Sequence, residues 1–513
     1  MKRNLLIGLL LLGAGSINLH AQTAAKTPVS QELNLQNFWF NSRNAAAMAF
    51  SPLNDYASLD LSYSRAQGSF KSVLEPQGQN DIVAASSGAV HYKGFALYGD
   101  FSYTNSFSQG SLYNANLYQP RFSMPYYIAD FNPSDWKRQS YDMGFKASFP
   151  TLAAGRLAFG ADVRYSDKVG AKQIDPRALS YVVDIQVAPS VAYNVSSKTI
   201  LGLALNYERY KERTQHSCEN YRKDQPVALM RGVANNSTSS VGGNMGVNDY
   251  LYSGNSAGAS LSFCTSANAA DLFAEVSGGF EKVTVMENPK FPRMRGATST
   301  IYADAAFKAN MGAKRNHRIK LEGDFSRVTG SEYTQELVTS PKREWKTLAV
   351  TPMSSYMFIN VLASYDFYLN MTADSYTWKI GADAVFDMMD QGYFASAFNN
   401  MAVESRIRGA YNAIFSGGST LLTSVAAGYR HPLSGQFINA GTASTQKQIL
   451  NEMYPSELGY LMSSNVNAGL SLTYSFLIGK KQTIFVRADA QYFKPLSAAT
   501  DRFVAAATVG LLF

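Results

Sequence analysis

From Tyr56 onward, apolar residues alternate with small or polar residues along most of the chain. The alternation is regular over 59–64, and over 378–387 it places Lys379 and Asp383 on the face opposite the apolar one. A period of two predicts β-strands with one apolar face. Charges on the other face are costly in a soluble core but natural in a water-filled lumen. The pattern therefore predicts an all-β fold, a closed antiparallel transmembrane β-barrel.

Eighteen segments carry this alternation, an even number that closes a barrel. The least regular segments are 82–93 and 254–264, and if either pair of strands that contains one of them fails, the count falls to 16 or 14. The predicted strands span 56–65, 82–93, 94–104, 140–149, 156–166, 181–195, 199–211, 254–264, 271–281, 300–310, 317–328, 357–369, 376–387, 401–412, 420–430, 465–477, 483–493 and 503–513.

The connections between these segments alternate between tight turns and long loops. Lys93-Gly94 is one of the turns, and the long loops span 105–139, 212–253, 329–356 and 431–464. Transmembrane barrels have short periplasmic turns and longer external loops, so both termini are expected in the periplasm.

Outward aromatic residues recur where the predicted strands end. Aromatic girdles of this kind lie at the two water–lipid boundaries of transmembrane barrels. One row consists of Tyr63, Tyr103, Tyr165, Tyr207, Phe280, Phe325, Phe386, Tyr429 and Tyr492, and the other of Tyr92, Phe149, Tyr193, Phe263, Phe367, Tyr411, Phe476 and Phe513.

The start of the sequence predicts export. Residues 1–21 have a basic beginning, an apolar run and small residues before Ala21, the pattern of a cleavable signal peptide. The apolar run is shorter than the roughly 20 residues that a transmembrane helix needs. We expect residues 22–55 to be a periplasmic leader and 56–513 to form the barrel in a bacterial outer membrane.

The leader contains one candidate for a plug. Residues 22–34 are polar and unpatterned and are expected to be flexible, whereas Asn41 or Ser42 could cap a short helix through Ala49 that Pro52 prevents from continuing. Such a helix could enter the lumen as a plug, or it could lie at the periplasmic mouth or under the barrel wall. The candidate plug residues are Trp39, Asn41, Arg43 and Asn44.

The order of signal peptide, the series Asn-Phe-Trp-Phe-Asn-Ser-Arg-Asn-Ala-Ala-Ala at 37–47, and a chain-long barrel resembles an uncharacterised family of Bacteroidetes outer-membrane proteins with a domain of unknown function. The resemblance covers the mature chain and implies no catalytic or binding residues. A more distant similarity, carried by Asn44-Ala45-Ala46-Ala47 before the first strand, is to FadL-type hydrophobic-compound transporters. It implies an N-terminal hatch inside the barrel, although the chain lacks their Asn-Pro-Ala motif.

The distribution of charge narrows the range of expected partners, and the positions of the two cysteines bear on a disulfide. The net charge of +8 is dispersed along the chain, whereas nucleic-acid binders have clustered basic runs. We therefore expect no nucleic acid and instead outer-membrane lipid and lipopolysaccharide, together with the barrel-insertion machinery, which recognises a terminal strand such as the one ending at Phe513. Cys218 falls in an outer loop and Cys264 near the inner end of a strand, too far apart for a disulfide.

Charged residues on the inward face are the candidates for solute selection, because rings of charge set the selectivity of a pore. Arg406, Arg408 and Arg487 form the preferred patch, an inner cationic cluster suited to an anion. The alternative is that the mixed charges neutralise one another as a cross-strand ladder. The candidate pore-lining residues are Arg164, Lys320, Glu322, Asp324, Glu404, Arg406, Arg408, Arg487 and Asp489.

The sequence indicates no enzyme chemistry, no metal motif and no cofactor. His431 near an outer rim has Ser434 nearby but no nucleophile-elbow motif. The leading prediction is passage or uptake of a small solute, porin-like or FadL-like. The alternatives are a non-transporting surface protein, adhesin or accessory of an uptake system that acts through its outer loops, and third, a rim enzyme.

Overall fold

Eighteen antiparallel strands form one closed sheet in the computed structural model, which describes residues 26–50, 54–117, 123–220, 222–242, 248–267, 270–440, 448–478 and 482–513. Each barrel strand pairs with its neighbours in chain order, and the first strand closes the barrel by pairing with both the second and the last. The barrel strands are β1 (Tyr56–Gly68), β2 (Gly78–Tyr92), β3 (Phe95–Ser111), β5 (Ser134–Ser148), β6 (Leu157–Lys172), β7 (Arg177–Ser196), β8 (Thr199–Ser217), β11 (Asn248–Ala267), β12 (Ala270–Glu287), β13 (Arg293–Met311), β14 (Arg315–Val338), β15 (Glu344–Leu369), β16 (Trp378–Tyr393), β17 (Ser396–Ile414), β18 (Thr420–Ile438), β19 (Asn465–Ile478), β20 (Gln482–Pro495) and β21 (Arg502–Leu512).

The predicted fold class is confirmed, strand by strand. Every one of the predicted segments overlaps a barrel strand, and the two least regular segments lie in β2 and β11. The count is therefore 18 and not 16 or 14. The predicted signal peptide (1–21) and Pro52 lie outside the described residues.

The outer face of the wall is apolar. Leu61 is 58% exposed and Leu205 54% exposed, and both alternate with lumen-facing polar positions. Aromatic side chains are exposed at both ends of the strands, including Tyr207 at the end with the long connections (the loop end) and Tyr92 at the end with the short turns (the turn end). An exposed apolar band with aromatic borders is typical of a transmembrane barrel.

The strands are longer than predicted at the loop end, and the loop predicted at 329–356 is wrong. β14 continues to Val338 and β15 begins at Glu344, so most of that stretch is a hairpin that projects beyond the rest of the wall. The prediction cut strands at membrane length, whereas a paired ladder continues into water as long as its hydrogen bonds persist. Two irregularities in the β14–β15 register interrupt the projecting part.

A second, small sheet covers the loop end. β4 (Ile128–Asp130), β9 (Gln225–Gly232) and β10 (Asn235–Val241) pair in the order β10-β9-β4. Beside them lie a π-helical turn at Ile449–Met453 and helix α2 at Tyr454–Leu461. We call this sheet, together with the stretch Ile449–Leu461, the cap.

The cap is held by two apolar clusters. One joins Met230 and Tyr454 of the cap to wall residues such as Tyr356 and Phe398, on β15 and β17. The other joins Leu229 to the opposite wall, where Trp136 of β5 is fully buried. Burial of each large apolar side chain contributes about 1.5–3 kcal/mol, so the cap is anchored across the full width of the mouth.

The prediction of a flexible leader over 22–34 is wrong for its described part, because helix α1 spans Pro28–Leu35. Thr27 and Ser30 form a capping box, and Pro28 occupies the first turn, where its missing N–H costs nothing. Val29 and Leu33, one turn apart, pack together with Tyr368 and Tyr376.

The second helix of the N-terminal region is a 3-10 helix at Ala45–Phe50. Its N-terminal cap is Asn44, whose Oδ1 accepts a hydrogen bond from the Ala47 N–H at 3.1 Å, so the predicted cap at Asn41 or Ser42 is wrong. The helix lies so close to the wall that a Cβ on Gly160 would come within 2.5 Å of the Ala46 nitrogen. Only glycine at position 160 accommodates this approach.

Within the described residues, no helix is both long enough and apolar enough to cross a membrane. The cysteines stand at opposite ends of the barrel. Cys264 is paired in register with Ile200 at the start of β8, and Cys218 follows the end of the same strand. The full length of β8, at about 3.3 Å per residue, lies between the two cysteines. A disulfide needs their Cα atoms within roughly 6 Å of each other, so the two cannot be bonded.

Candidate functional site

The N-terminal segment, residues 26–50, crosses the turn end of the barrel from one wall to the other. On the β14–β17 side, Glu32 of α1 accepts a bond from Lys379 Nζ at 2.9 Å and one from Tyr376 Oη at 3.0 Å. Gln36 contacts the guanidinium of Arg318 and accepts a bond from Tyr368 Oη at 3.2 Å. These contacts fix α1 to the inner face of the wall.

On the opposite wall, a buried lysine holds the same segment. Lys146 Nζ donates to the carbonyl oxygens of Phe40 at 2.9 Å and Ser42 at 3.0 Å, and Asp162 lies 3.6 Å away. The Lys146 side chain is 5% exposed. Ser42 Oγ also donates to Glu275 at 2.5 Å. The segment is thus held by charged groups of the lumen wall.

The four candidate plug residues have different surroundings. Trp39 is buried edge-on against Phe273, with ring centroids 5.3 Å apart. Arg43 forms an ion pair with Asp304, and Asn44 donates to the Val191 carbonyl oxygen at 2.9 Å. Asn41 instead folds back on α1, where its amide donates to the Leu35 carbonyl oxygen at 2.6 Å, and it faces the lumen cavities.

Polar contacts add to the apolar anchoring of the cap at the loop end. Lys172 Nζ contacts Asp130 Oδ2, and both side chains are fully buried. Glu457 of α2 accepts bonds from Ser72 Oγ and the Val73 N–H, each at 2.8 Å. Burial raises the pKa of Glu457, although these two hydrogen bonds act in the opposite direction.

Three polar chambers lie between the cap and the N-terminal segment, on the side of the barrel formed by β1–β3, β5–β8 and β11–β13. The upper chamber, about 570 Å³, reaches Leu117 beneath the cap. The middle chamber, about 640 Å³, is lined by Ser42 and Arg43. The lower chamber, about 440 Å³, is lined by Phe40 and Asn41.

Charged side chains stand where the chambers meet. Glu208 and Glu281 line both the upper and the middle chambers. Lys146 and Arg164 line both the middle and the lower chambers. A solute moving along these chambers would therefore pass first carboxylates and then basic groups, counted from the loop end.

A fourth cavity of about 250 Å³ lies on the other side, next to α1. Glu32, Lys379, Arg406, Arg408 and Asp489 are among its lining residues. It shares no lining residue with the three chambers.

The prediction of a cationic cluster at Arg406, Arg408 and Arg487 is wrong, because two of the three arginines form ion pairs with aspartates. Arg406 donates to Asp383 at 2.9 Å, and Arg408 bridges Asp366 and Asp383 at 3.0 Å each. The two guanidiniums are therefore neutralised in a cross-strand ladder and do not form an uncompensated cationic cluster with Arg487. Asp383 lies directly opposite Arg406 in the β16–β17 register, and this pairing brings the charges together.

The remaining candidate pore-lining residues are dispersed around the lumen. Lys320 pairs with Glu322 at 2.7 Å, and Arg164 approaches Asp162 at 3.5 Å. The other contacts are with wall neighbours: Asp324 with Asp304, Glu404 with Asn467 at 3.1 Å, and Arg487 with Thr473 at 3.2 Å, while Asp489 lines the fourth cavity.

Sequence reasoning missed Glu208 and Glu281 as lumen residues. The signal was present for Glu208, because it lies one position beyond the outward Tyr207, so the alternation turns it inward. Glu281 likewise follows the outward Phe280.

The rim-enzyme alternative depends on the surroundings of His431. His431 lies 6.1 Å from the Tyr429 ring, centroid to centroid, and no described serine or carboxylate hydrogen-bonds to it. Across the same residues, no group of three or more His, Cys, Asp or Glu side chains is arranged to hold a metal ion.

Comparisons with known proteins identify one family and several solved structures of low sequence identity. The model described as "Family of unknown function (DUF6850)" matches residues 45–513. No curated protein matches the chain. A Pseudomonas aeruginosa FadL homologue is 12% identical with a TM-score of 0.29, covering 92% of each chain. The FrpB iron transporter of Neisseria meningitidis is 9% identical with a TM-score of 0.38, covering 89% of this chain and 81% of its own.

Proposed function

Since the chain belongs to the DUF6850 family, a family of unknown function, only the structure of its own lumen can indicate its role. We propose that it is an outer-membrane barrel that passes a small polar solute. At rest the N-terminal segment occupies the turn end and the cap occupies the loop end. The proposal makes the barrel a gated conduit and not a permanently open pore.

The observation that carries this proposal is the series of polar chambers between the two closures. Their lining combines carboxylates, basic groups, hydroxyls and amides, and their volumes are in the range of small-molecule sites. A barrel that served only as a rigid stalk would need no such cavities. The same polarity favours a polar solute over a hydrophobic one.

The N-terminal segment is the closure that we propose to move. Hydrogen bonds and ion pairs hold it at both walls, and water can replace such bonds when the segment leaves. It also packs on the wall through three small apolar clusters. The cap depends on two larger apolar clusters, whose exposure to water costs more free energy.

A second candidate function is a surface protein that does not transport. The apolar anchoring of the cap and the projecting β14–β15 hairpin favour it, because both present ordered structure at the loop end. In that case the hairpin tip at 339–343, with Lys342 and Arg343, is proposed to contact lipopolysaccharide or a partner protein. The C-terminal strand β21 is proposed as the contact for the barrel-insertion machinery.

Single-channel recordings in planar bilayers separate the two functions. We expect the mature protein to show rare, brief openings and the protein without residues 22–52 to show steady conductance. Silence in both forms would contradict transport and favour the surface protein.

A further inference from the structure

Two carboxylates at the junction of the upper and middle chambers have no basic partner. Glu208 and Glu281 line both chambers, and within the described residues neither forms an ion pair. Both belong to wall strands, β8 and β12, that lie on either side of β11.

The upper chamber carries more carboxylates than basic groups. Its lining includes two basic residues, Arg138 and Lys168, and four acidic ones, Asp81, Asp184, Glu208 and Glu281. The junction between the chambers is left with an excess of negative charge.

Asp184 lines the upper chamber together with Glu208, so a further carboxylate stands beside the junction. A protonated amine supplies both the hydrogen-bond donors and the positive charge that such a group of carboxylates lacks. Hydrogen bonds between an ammonium group and carboxylates are charge-assisted and stronger than neutral ones.

Buried hydroxyls without partners point into the same two chambers. Ser106 is 7% exposed and lines the upper chamber, and Ser260 is 2% exposed and lines the middle one. Neither hydroxyl oxygen has a hydrogen-bond partner in the described part of the chain, and Arg138 Nε is also buried without one. Buried polar groups are normally satisfied, so these atoms indicate a ligand that brings its own hydrogen-bonding groups.

We infer that the chamber junction binds the protonated amino group of a small hydroxyl-bearing solute, with Glu208 and Glu281 as its anionic contacts and Ser106 and Ser260 as hydrogen-bonding contacts. A divalent metal is a poorer fit, because no described cluster of three metal-ligating side chains exists there. This inference rests on the proposed function and names the class of its solute.

Binding of two sugars that differ in one charge tests the inference. Isothermal titration of the mature protein in detergent compares glucosamine, which carries an ammonium group, with N-acetylglucosamine, which does not. We expect glucosamine to bind at least tenfold more tightly. Equal affinity for the two sugars, or binding of neither, would overturn the inference without use of any variant.

Variants locate the site. Replacing both carboxylates with amides, Glu208→Gln with Glu281→Gln, should lower the affinity for glucosamine at least tenfold and leave that for N-acetylglucosamine unchanged. Glu336→Gln with Glu344→Gln, which removes the same two charges from exposed positions on the projecting hairpin, is the matched control. Retention of the amine preference in the double variant would refute this placement of the site.

Liposome swelling with the same two sugars separates this inference from the proposed function. Amine preference in binding together with no swelling, with or without residues 22–52, would refute transport and leave the site intact. Swelling with both sugars together with equal affinity for them would leave transport intact and refute the site.

Discussion

Removal of the lysine that holds the N-terminal segment should open the barrel. In Lys146→Met, the carbonyl oxygens of Phe40 and Ser42 lose their ammonium donor, while Asp162 keeps Arg164 at 3.5 Å as a partner. Hydrogen bonds to a charged group contribute about 1.5–3 kcal/mol each, so docking of the segment weakens by about 3 kcal/mol at the low end. That difference shifts the docked-to-released ratio by roughly a hundredfold.

Single-channel recording measures this shift as a rise in open probability. Lys282→Met is the matched control, because Lys282 is exposed on β12 and its replacement removes the same charge. Its open probability should equal that of the unmodified protein. If Lys146→Met opens no more often than this control while deletion of 22–52 opens the barrel, the reasoning from these two hydrogen bonds is refuted.

Three further measurements address the cap and the thiols. Tyr454→Ala should lower the free energy of cap opening, measured by hydrogen exchange over 449–461, by about 3–5 kcal/mol, whereas Phe394→Ala, at an 88% exposed position, should change it by less than about 0.5 kcal/mol. Burial raises the pKa of Glu457, so its contribution to cap stability is greatest below the ordinary glutamate pKa and is lost as the pH rises through the raised value. The protection of 449–461 against hydrogen exchange should therefore fall from pH 4.5 to 7.5. Glu457→Gln should reduce that pH dependence. Burial also raises the pKa of Cys218 to about 11, so its thiol should label slowly with maleimide at pH 7, and denatured protein should titrate as two free thiols with Cys264. A single reduction-sensitive band shift on electrophoresis would contradict the last expectation.

The barrel could be predicted from the sequence because its signal is local. Alternation fixes which face of each strand is apolar, and even β2 and β11, with few large apolar residues, form because both their neighbours are strands that need a partner. Helix α1 also left a local signal in its capping box and in Val29 and Leu33, but the polar composition around it concealed that signal.

The closures and the charge pairing could not be predicted in the same way. The cap depends on contacts between loops far apart in sequence, such as the hydrogen bond from Tyr113 Oη to Glu452 at 3.3 Å, which no periodicity encodes. The pairing of Arg406 with Asp383 depends on strand register, and a shift of one residue would turn one of the two side chains to the outer face.

The composition of the cap determines when it can form during biogenesis. Its larger apolar cluster contains residues from Tyr113 to Tyr454, so it cannot assemble until the wall from β3 to β18 and the loop after β18 are in place. Contacts of such long sequence separation form late, because the loops that join them must first be closed. The part of the mouth beneath this cluster therefore stays uncovered until the last third of the chain has arrived, whereas the other cluster needs no residue beyond Val285.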